Sequence, residues 1–397
     1  MLRPLTVVMT GGGSGGHIMP ILAVAAALKD IHPDTRIVYI GQKGDRLADV
    51  PANNAAIDEV FAVRAGKFRR YHGMGLRQTF DPMTALLNVR DMSYIGAGLL
   101  QSLRLMRRLK PDVIFTRGGY VSVPVALAGA LCRVPFITHD SDSTPSLANR
   151  IIARWARLHA VALPADLYPY PQSKTMMVGV PIAQEYLPVT PAVLAASRRT
   201  INVPVNGKVV LVTGGGNGAH RLNQIMLQSA GALLKRYPYL TIVHIAGRAL
   251  AMDLAEQYNG AVPIAARQRV VVKDFVPDLY NYSAAADVII ARGGATNLAE
   301  FAAQAKACLI IPSPQLIWNV RNADVLAQRE AIRQLSEDQA EQEGRVTALV
   351  SKLLDDQTLR NGLAERLHAL ARPGAAHDLA EILIEIGTGE GIPRATP

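Results

Sequence analysis

Two stretches decide the fold: TVVMTGGGSGGHIMPILAVAAAL at Thr6–Leu28 and VVLVTGGGNGAHRLNQIMLQSAGAL at Val209–Leu233. Each opens with an apolar, β-branched run, passes through a glycine-rich loop and continues at helical spacing. Thr10 pairs with Thr213, Gly15 with Gly218 and His17 with His220 at one constant offset. A strand–glycine loop–helix unit occurring twice predicts two similar mononucleotide-binding units. A glycine loop that opens a helix leaves backbone N–H groups free and aims the positive end of the helix dipole outward, which suits a diphosphate. The alternative is two tight strand-to-helix turns and nothing more, against which stands a histidine at the same place in both.

Outward from these loops, strand-like runs alternate with helical patterns: Arg36–Ile40, Asp112–Phe115, Thr241–Ile245, Asp287–Ile290 and Cys308–Ile311. That alternation predicts an α/β chain with two Rossmann-like, doubly wound parallel sheets facing a cleft. Several strands run straight into glycine, polar residues or proline, as in TRGGY, THDSD, ARGGA and IPSPQ. Ligands bind at such carboxyl ends. A Pro-punctuated stretch from Val178 to Pro204 reads as the linker, giving domains at 1–180 and 181–372. Residues 373–397 form a final helix over Ala375–Ile386 and a tail, and the helix is free to pack on either domain. The strand following each glycine loop ends without an acidic residue, at Gly41-Gln42 and at Gly247-Arg248, so a dinucleotide is disfavoured. No GxxxxGK[ST] sequence occurs.

The 397 residues are 49% apolar and 19% charged, which excludes a disordered or fibrous chain. Two cysteines, Cys132 and Cys308, both in apolar stretches, give no disulfide or zinc framework. No apolar run reaches the roughly 18 residues that span a bilayer, and no signal-peptide pattern opens the chain. The expectation is a cytoplasmic protein. Its formal charge of +10 suits nucleic acid, an anionic membrane or a phosphate-bearing substrate alike. Zinc-finger, RRM and KH signatures are lacking and aromatic residues are few, so no nucleic-acid partner is expected.

GGGSGGHIMP (Gly11–Pro20), RGGYVSVP (Arg117–Pro124), THDSDSTPSLANR (Thr138–Arg150), GGGNGAHRLN (Gly214–Asn223) and ARGGATNLAE (Ala291–Glu300) occur in one order over most of the chain. In these motifs the sequence resembles the MurG family, UDP-N-acetylglucosamine transferases that convert lipid I to lipid II in peptidoglycan synthesis. The resemblance implies a GT-B glycosyltransferase with the UDP-sugar on the carboxyl-terminal domain and the acceptor, an undecaprenyl-diphosphate-linked muramyl peptide, on the amino-terminal one. It implies an inverting displacement without metal or cofactor. Such chemistry needs a base for the acceptor hydroxyl and a stabiliser for the departing diphosphate. His17 is the first candidate base, or alternatively a structural histidine packed under its loop. Asp140 would orient His17 or touch the acceptor.

On the donor side the resemblance points to Ser14, Gly15, Gly16 and Asp142, and to Gly216, Asn217, Val276, Ala295, Thr296, Asn297, Leu298, Ala299, Glu300 and Asn319. Glu300 would accept both ribose hydroxyls, or else serve as a first-turn partner of its helix dipole. On the acceptor side it points to Gly13, Gly119, Tyr120, His139 and Asn149. Departures accompany the match. Ala183 stands where the family carries an arginine, Gly216 and Asn217 replace a serine and a glutamine, Asp142 replaces an asparagine, and Trp318-Asn319 replace a glutamine pair. These leave open another UDP-sugar or lipid acceptor, or a weakened protein that binds sugar nucleotides or lipid intermediates. Asp140-Ser141-Asp142 also spells DxD, a cation-binding pattern of another transferase class.

Between Arg64 and Arg77, RAGKFRRYHGMGLR sets cations among apolar side chains, with Lys67, Phe68, Arg69 and Arg70 at its centre. A segment of this kind lies on anionic headgroups, placing the protein peripherally at the cytoplasmic face of the membrane; the alternative is a solvated basic face. Met92, Ile95, Leu99, Leu103 and Met106 then recur at helical spacing and are expected to pack on the sheet.

Overall fold

Val7, Val8 and Met9 are inaccessible on both faces of their strand, and so are Val210, Leu211 and Val212. A strand wedged between two layers of helices has no wet side, which is why these segments read as unbroken apolar runs. The computed structural model describes residues 4–12, 15–66, 82–216 and 218–390. Gly13, Ser14, Asn217 and the basic Lys67–Arg70 segment lie outside the described residues.

The chain divides into two units, Met1–Ala183 with Gly374–Pro397, and Gln184–Pro373. In the first, β1 (Thr6–Thr10), α1 (Gly15–Ile31), β2 (Arg36–Gln42), α2 (Asp49–Ala52) and β3 (Glu59–Val63) build one half. Then α3 (Pro82–Leu109), β4 (Val113–Thr116), α4 (Ser122–Leu131), β5 (Phe136–Asp140), α5 (Leu147–Ile152), β6 (Leu158–Val161) and β7 (Thr175–Met177) build the other. Its seven strands are parallel, in the order β3-β2-β1-β4-β5-β6-β7.

The second unit opens with α6 (Pro191–Thr200), β8 (Lys208–Thr213), α7 (His220–Arg236), β9 (Leu240–Ile245), α8 (Ala251–Ala261) and β10 (Val270–Lys273). It continues with α9 (Leu279–Ala285), β11 (Val288–Ala291), α10 (Ala295–Ala303), β12 (Cys308–Ile310), α11 (Ile317–Gln328) and β13 (Arg333–Gln334). Helices α12 (Glu337–Ala340), α13 (Arg345–Asp355) and α14 (Gln357–His368) complete it. The sheet is parallel and repeats the first one's order, β10-β9-β8-β11-β12-β13. In both sheets the strand that feeds the glycine loop lies at the centre, where winding reverses direction. Loops leaving the two central strands part there and open the crevice in which this fold binds ligands.

The last helix, α15 (Ala375–Thr388), leaves the second unit and packs on α1 of the first. Leu379, Ala380 and Leu383 are fully covered there with Val7, Met9 and Leu28. The Pro-rich stretch read as linker behaves in two ways. The crossing at Ala183–Gln184 falls inside it, but its second half is α6, begun by Pro191 after Thr190, whose hydroxyl accepts the N–H of Val193. On α3 the apolar stripe meets the core at Leu99, Leu103 and Met106, whereas Met92 is 60% exposed. No helix among the described residues is long and apolar enough to cross a membrane.

Candidate functional site

At the first switch point β1 and β4 end side by side, with Thr10 level with Thr116. Pro20 sits inside α1 and has no N–H to give the carbonyl of Gly16, four residues back. That carbonyl instead accepts Nη2 of Arg117, the residue just beyond β4, at 2.9 Å. The proline of the first glycine motif thus ties the start of α1 to the neighbouring strand. Gly119 follows with φ +84°, and a Cβ there would stand 3.1 Å from the oxygen of Gly12, so the two loops touch backbone to backbone.

His17 lies in the first turn of α1, with Nδ1 3.0 Å from the carbonyl oxygen of Arg117. A carbonyl only accepts, so Nδ1 carries the hydrogen and the neutral ring keeps its lone pair on Nε2. Although the ring retains some surface, loss of water around it and, second, the Arg117 charge lower its pKa to about 4. The imidazole is therefore neutral across the physiological range. Its counterpart His220 is exposed and is the first residue of α7, so the sequence repeat holds for the loops but not for this side chain.

Asp140, at the end of β5, is buried and does not reach His17. Its Oδ1 accepts the Ser146 N–H and the Asn149 amide, both at 3.0 Å, and its Oδ2 accepts the Tyr170 hydroxyl at 2.8 Å. The partner that orients His17 is the Arg117 carbonyl, which corrects the orienting role expected of Asp140. Burial pushes the Asp140 carboxyl up, against the pull of these donors and of Arg117. Arg117 is itself buried, and desolvation brings it down to about 10, opposed first by Asp142 and then by Asp140, so it stays a cation at neutral pH. His139 donates Nε2–H to the Gly179 carbonyl at 2.8 Å, and Asn149 donates to the His139 carbonyl at 3.0 Å. Buried Arg117 Nε, His139 Nδ1 and Asn149 Oδ1 have no hydrogen-bond partner among the described residues. Tyr120 is 38% exposed beside them. No group of three or more His, Cys, Asp or Glu among the described residues is placed to hold a metal.

If Asp140 is a brace for its loop, Asp140→Ala should cost about 3 kcal/mol of stability by stranding three donors. Asp140→Asn, whose oxygen still accepts and whose amide can donate to Tyr170, should cost less than about 1.5 kcal/mol. Urea unfolding followed by circular dichroism distinguishes the two. Equal losses would contradict the bracing role.

In the second unit, β8 ends at Thr213, whose Oγ1 accepts the N–H of Gly215, and the loop through Gly216 leads to α7. Beyond β11, Arg292-Gly293-Gly294 opens α10. A Cβ on Gly293 would lie 2.2 Å from the carbonyl oxygen of Asn319, so only glycine admits the start of α11, and the Asn322 amide donates to the Gly293 carbonyl at 3.0 Å. This brings buried Asn319 to the amino end of α10, where Ala295, Thr296, Asn297, Leu298 and Ala299 form the first turns. Val276 packs on the core beneath. Glu300 is in the second turn, not the first, and only 4% exposed, so it is no surface partner of the helix dipole. Asn297, three residues back on the same face, donates to its Oε2 at 3.2 Å, and the Tyr186 hydroxyl donates to it as well. Desolvation nonetheless raises its pKa to about 8.

Sequence reasoning singled out neither Tyr186 nor the side chain of Arg117. The RGGYVSVP motif contains Arg117, but a lone Tyr186 between two prolines carries no periodic signal. It also missed Glu337, held between Arg292 at 2.5 Å and Arg221 at 2.7 Å, which joins the β11 loop to the start of α7. Trp318 is half-buried. A depression lined by Tyr258, Asn259, Arg267 and Val270 beside edge strand β10 contains none of the residues above.

Two doubly wound units on one chain, each with a glycine loop at its switch point, make the GT-B architecture. Residues 7–161 match the glycosyltransferase family 28 N-terminal domain and residues 209–379 its C-terminal domain. The chain belongs to glycosyltransferase family 28 and, within it, to the MurG family. It is 30% identical to the UDP-N-acetylglucosamine--N-acetylmuramyl-(pentapeptide) pyrophosphoryl-undecaprenol N-acetylglucosamine transferase of Bacillus cytotoxicus, over 96% of this chain and 99% of that one. Among solved structures, MurG of Acinetobacter baumannii shares the fold with a TM-score of 0.65 and 21% identity, over 96% and 99% of the two chains. A UDP co-structure of S. aureus MnaA shares it with a TM-score of 0.66 and 12% identity, over 99% and 100%.

Proposed function

We propose that this chain transfers N-acetylglucosamine from UDP-N-acetylglucosamine to an undecaprenyl-diphosphate-linked muramyl pentapeptide, as the names of its relatives describe for those proteins. The observation that carries the reading is that each unit, taken by itself, holds at its switch point one of the groups a sugar transfer needs. A histidine with an unprotonated Nε2 sits at one switch point, and a buried carboxylate with two donors already on it sits at the other. In this reading the second unit takes the nucleotide, Glu300 accepts the ribose hydroxyls, and the backbone of α10 and Val276 border the base. The first unit takes the acceptor at the Gly119–Tyr120 loop, with His139 and Asn149, fully buried, bracing the neighbouring backbone through Gly179 and Asp140.

His17 removes the proton from the attacking sugar hydroxyl through Nε2. In this reading backbone N–H groups at the helix amino termini stabilise the departing diphosphate in place of a cation. Attachment to an anionic membrane at the cytoplasmic face involves the basic segment around Lys67–Arg70. Exposed Met92 and Leu100 of α3, with Arg104, Arg107 and Arg108, add a further basic and apolar surface of the same chemistry. Nucleic acid plays no part in this reading.

The test is transfer from a panel of UDP-sugars to lipid I and to other prenyl-diphosphate acceptors, read by mass spectrometry in the presence of EDTA. The expected product carries one added N-acetylhexosamine and forms from UDP-N-acetylglucosamine. Transfer of a different sugar would trace to the Ala183, Trp318 and Asn319 departures and overturn the donor assignment. Turnover lost in EDTA and restored by a divalent ion would overturn the cation-free mechanism.

A further inference from the structure

The segment that enters the second unit, between Ala183 and α6, is anchored by one large side chain. Tyr186 is 4% exposed, meets the ring of Tyr280 edge-on at a centroid distance of 6.0 Å, and points its hydroxyl at the Glu300 carboxyl. An ionised carboxylate offers about four lone-pair directions. Asn297 occupies one on Oε2 and Tyr186 a second. Two remain, which is the number a vicinal diol requires.

We propose that Tyr186 is a positioning residue for nucleoside binding, holding the Glu300 carboxyl with Asn297 so that its unfilled lone pairs meet the 2′- and 3′-hydroxyls of a ribose. The proposal rests on the reading of α10 as the nucleotide site. It assigns the connecting segment a part in recognition as well as in linkage. A buried carboxyl with only the short Asn297 amide on it would be free to rotate and harder still to ionise; the phenol donor fixes the orientation that a diol needs and pulls the carboxyl's pKa down, against burial, toward the charge state that ligand binding completes. Phenylalanine would fill the same space against Tyr280 and leave Glu300 with one donor fewer.

Around this pair the titratable neighbours are Tyr280 on α9, Glu185 on the same segment, and Asp278 just ahead of α9. Burial and the nearby carboxylates hold Tyr186 well above its ordinary pKa, so Glu300 is the group that changes charge near neutrality.

The experiment is calorimetry of UDP and of 2′-deoxy-UDP binding to the full-length wild type, Tyr186→Phe and Glu300→Gln. It runs from about pH 7 to about pH 9.5, where the terminal phosphate is already ionised. Tyr186→Phe is expected to bind UDP about tenfold more weakly at pH 7, with the midpoint of its pH profile displaced upward and its preference for UDP over 2′-deoxy-UDP reduced. Circular dichroism confirms that the variant is folded. A Tyr186→Phe protein with the wild-type profile and preference, alongside weakened binding in Glu300→Gln, would overturn the positioning role and leave the nucleotide site in place. UDP binding unmoved by Glu300→Gln would overturn both.

Discussion

Replacing His17 with alanine is expected to lower kcat for sugar transfer by about 10²–10⁴-fold, the range associated with loss of a general base, while UDP affinity changes less than about twofold. The separation follows from position: His17 belongs to the first unit, on α1, and the proposed ribose and base contacts, Glu300, α10 and Val276, belong to the second. The structural reason for choosing this histidine is the bond from its Nδ1 to the Arg117 carbonyl, which leaves Nε2 as the proton acceptor. Its lowered pKa gives a second, independent signature. A base works unprotonated, so a pKa displaced from 6.5 toward about 4 keeps the enzyme active to lower pH. With the donor saturating, kcat/KM for the lipid acceptor should stay level below pH 6.5 and fall only as His17 takes up its proton. An acid limb centred at 6.5 or higher would assign the base to another group. A His17→Ala enzyme with near-normal turnover would remove the residue from the chemistry.

Glu300→Ala is expected to weaken UDP-N-acetylglucosamine by about 100-fold, the loss of two hydrogen bonds to a charged acceptor. The sign of the pH effect is fixed by the direction of the shift. Burial raises Glu300 to about 8, so at pH 7 the free protein holds this carboxyl mostly protonated, whereas ribose hydroxyls donate to its ionised form. Binding therefore releases a proton, and affinity rises from pH 6 to about pH 8 and levels above it. Calorimetry in buffers of different ionisation enthalpy reads the released proton directly. The sugar nucleotide, which lacks a terminal phosphate, keeps the ligand's own titration out of the profile. Affinity that is flat or falling over this interval would mean that the carboxyl stays protonated in the complex.

What could be read from the chain beforehand follows from locality. Thr6–Met9 and Val209–Val212 announced central strands because burial on both faces leaves no polar positions, and the glycine loops announced the two switch points. Edge strands β7 and β13 are only three and two residues long, too short for a periodic signal, and were not legible. Glu300 and its helix were legible because their neighbours are close in sequence. Its contact with Tyr186 joins positions more than a hundred residues apart, and nothing in a local window specifies it. Asp140 shows the same limit from the other side. Its place after a strand suggested contact with His17, and only the fold shows its oxygens committed to Ser146, Asn149 and Tyr170.

The docking of α15 on α1 makes the amino-terminal unit discontinuous in the chain. During translation its sheet emerges first, yet the apolar side built from Val7, Met9 and Leu28 stays uncovered until residues 375–388 have left the ribosome, after the whole of the second unit. The nascent amino-terminal half thus lacks one of its covering helices for about two hundred codons. A premature stop near Pro373 would leave the second unit entire and strip the first of the helix that covers Val7, Met9 and Leu28.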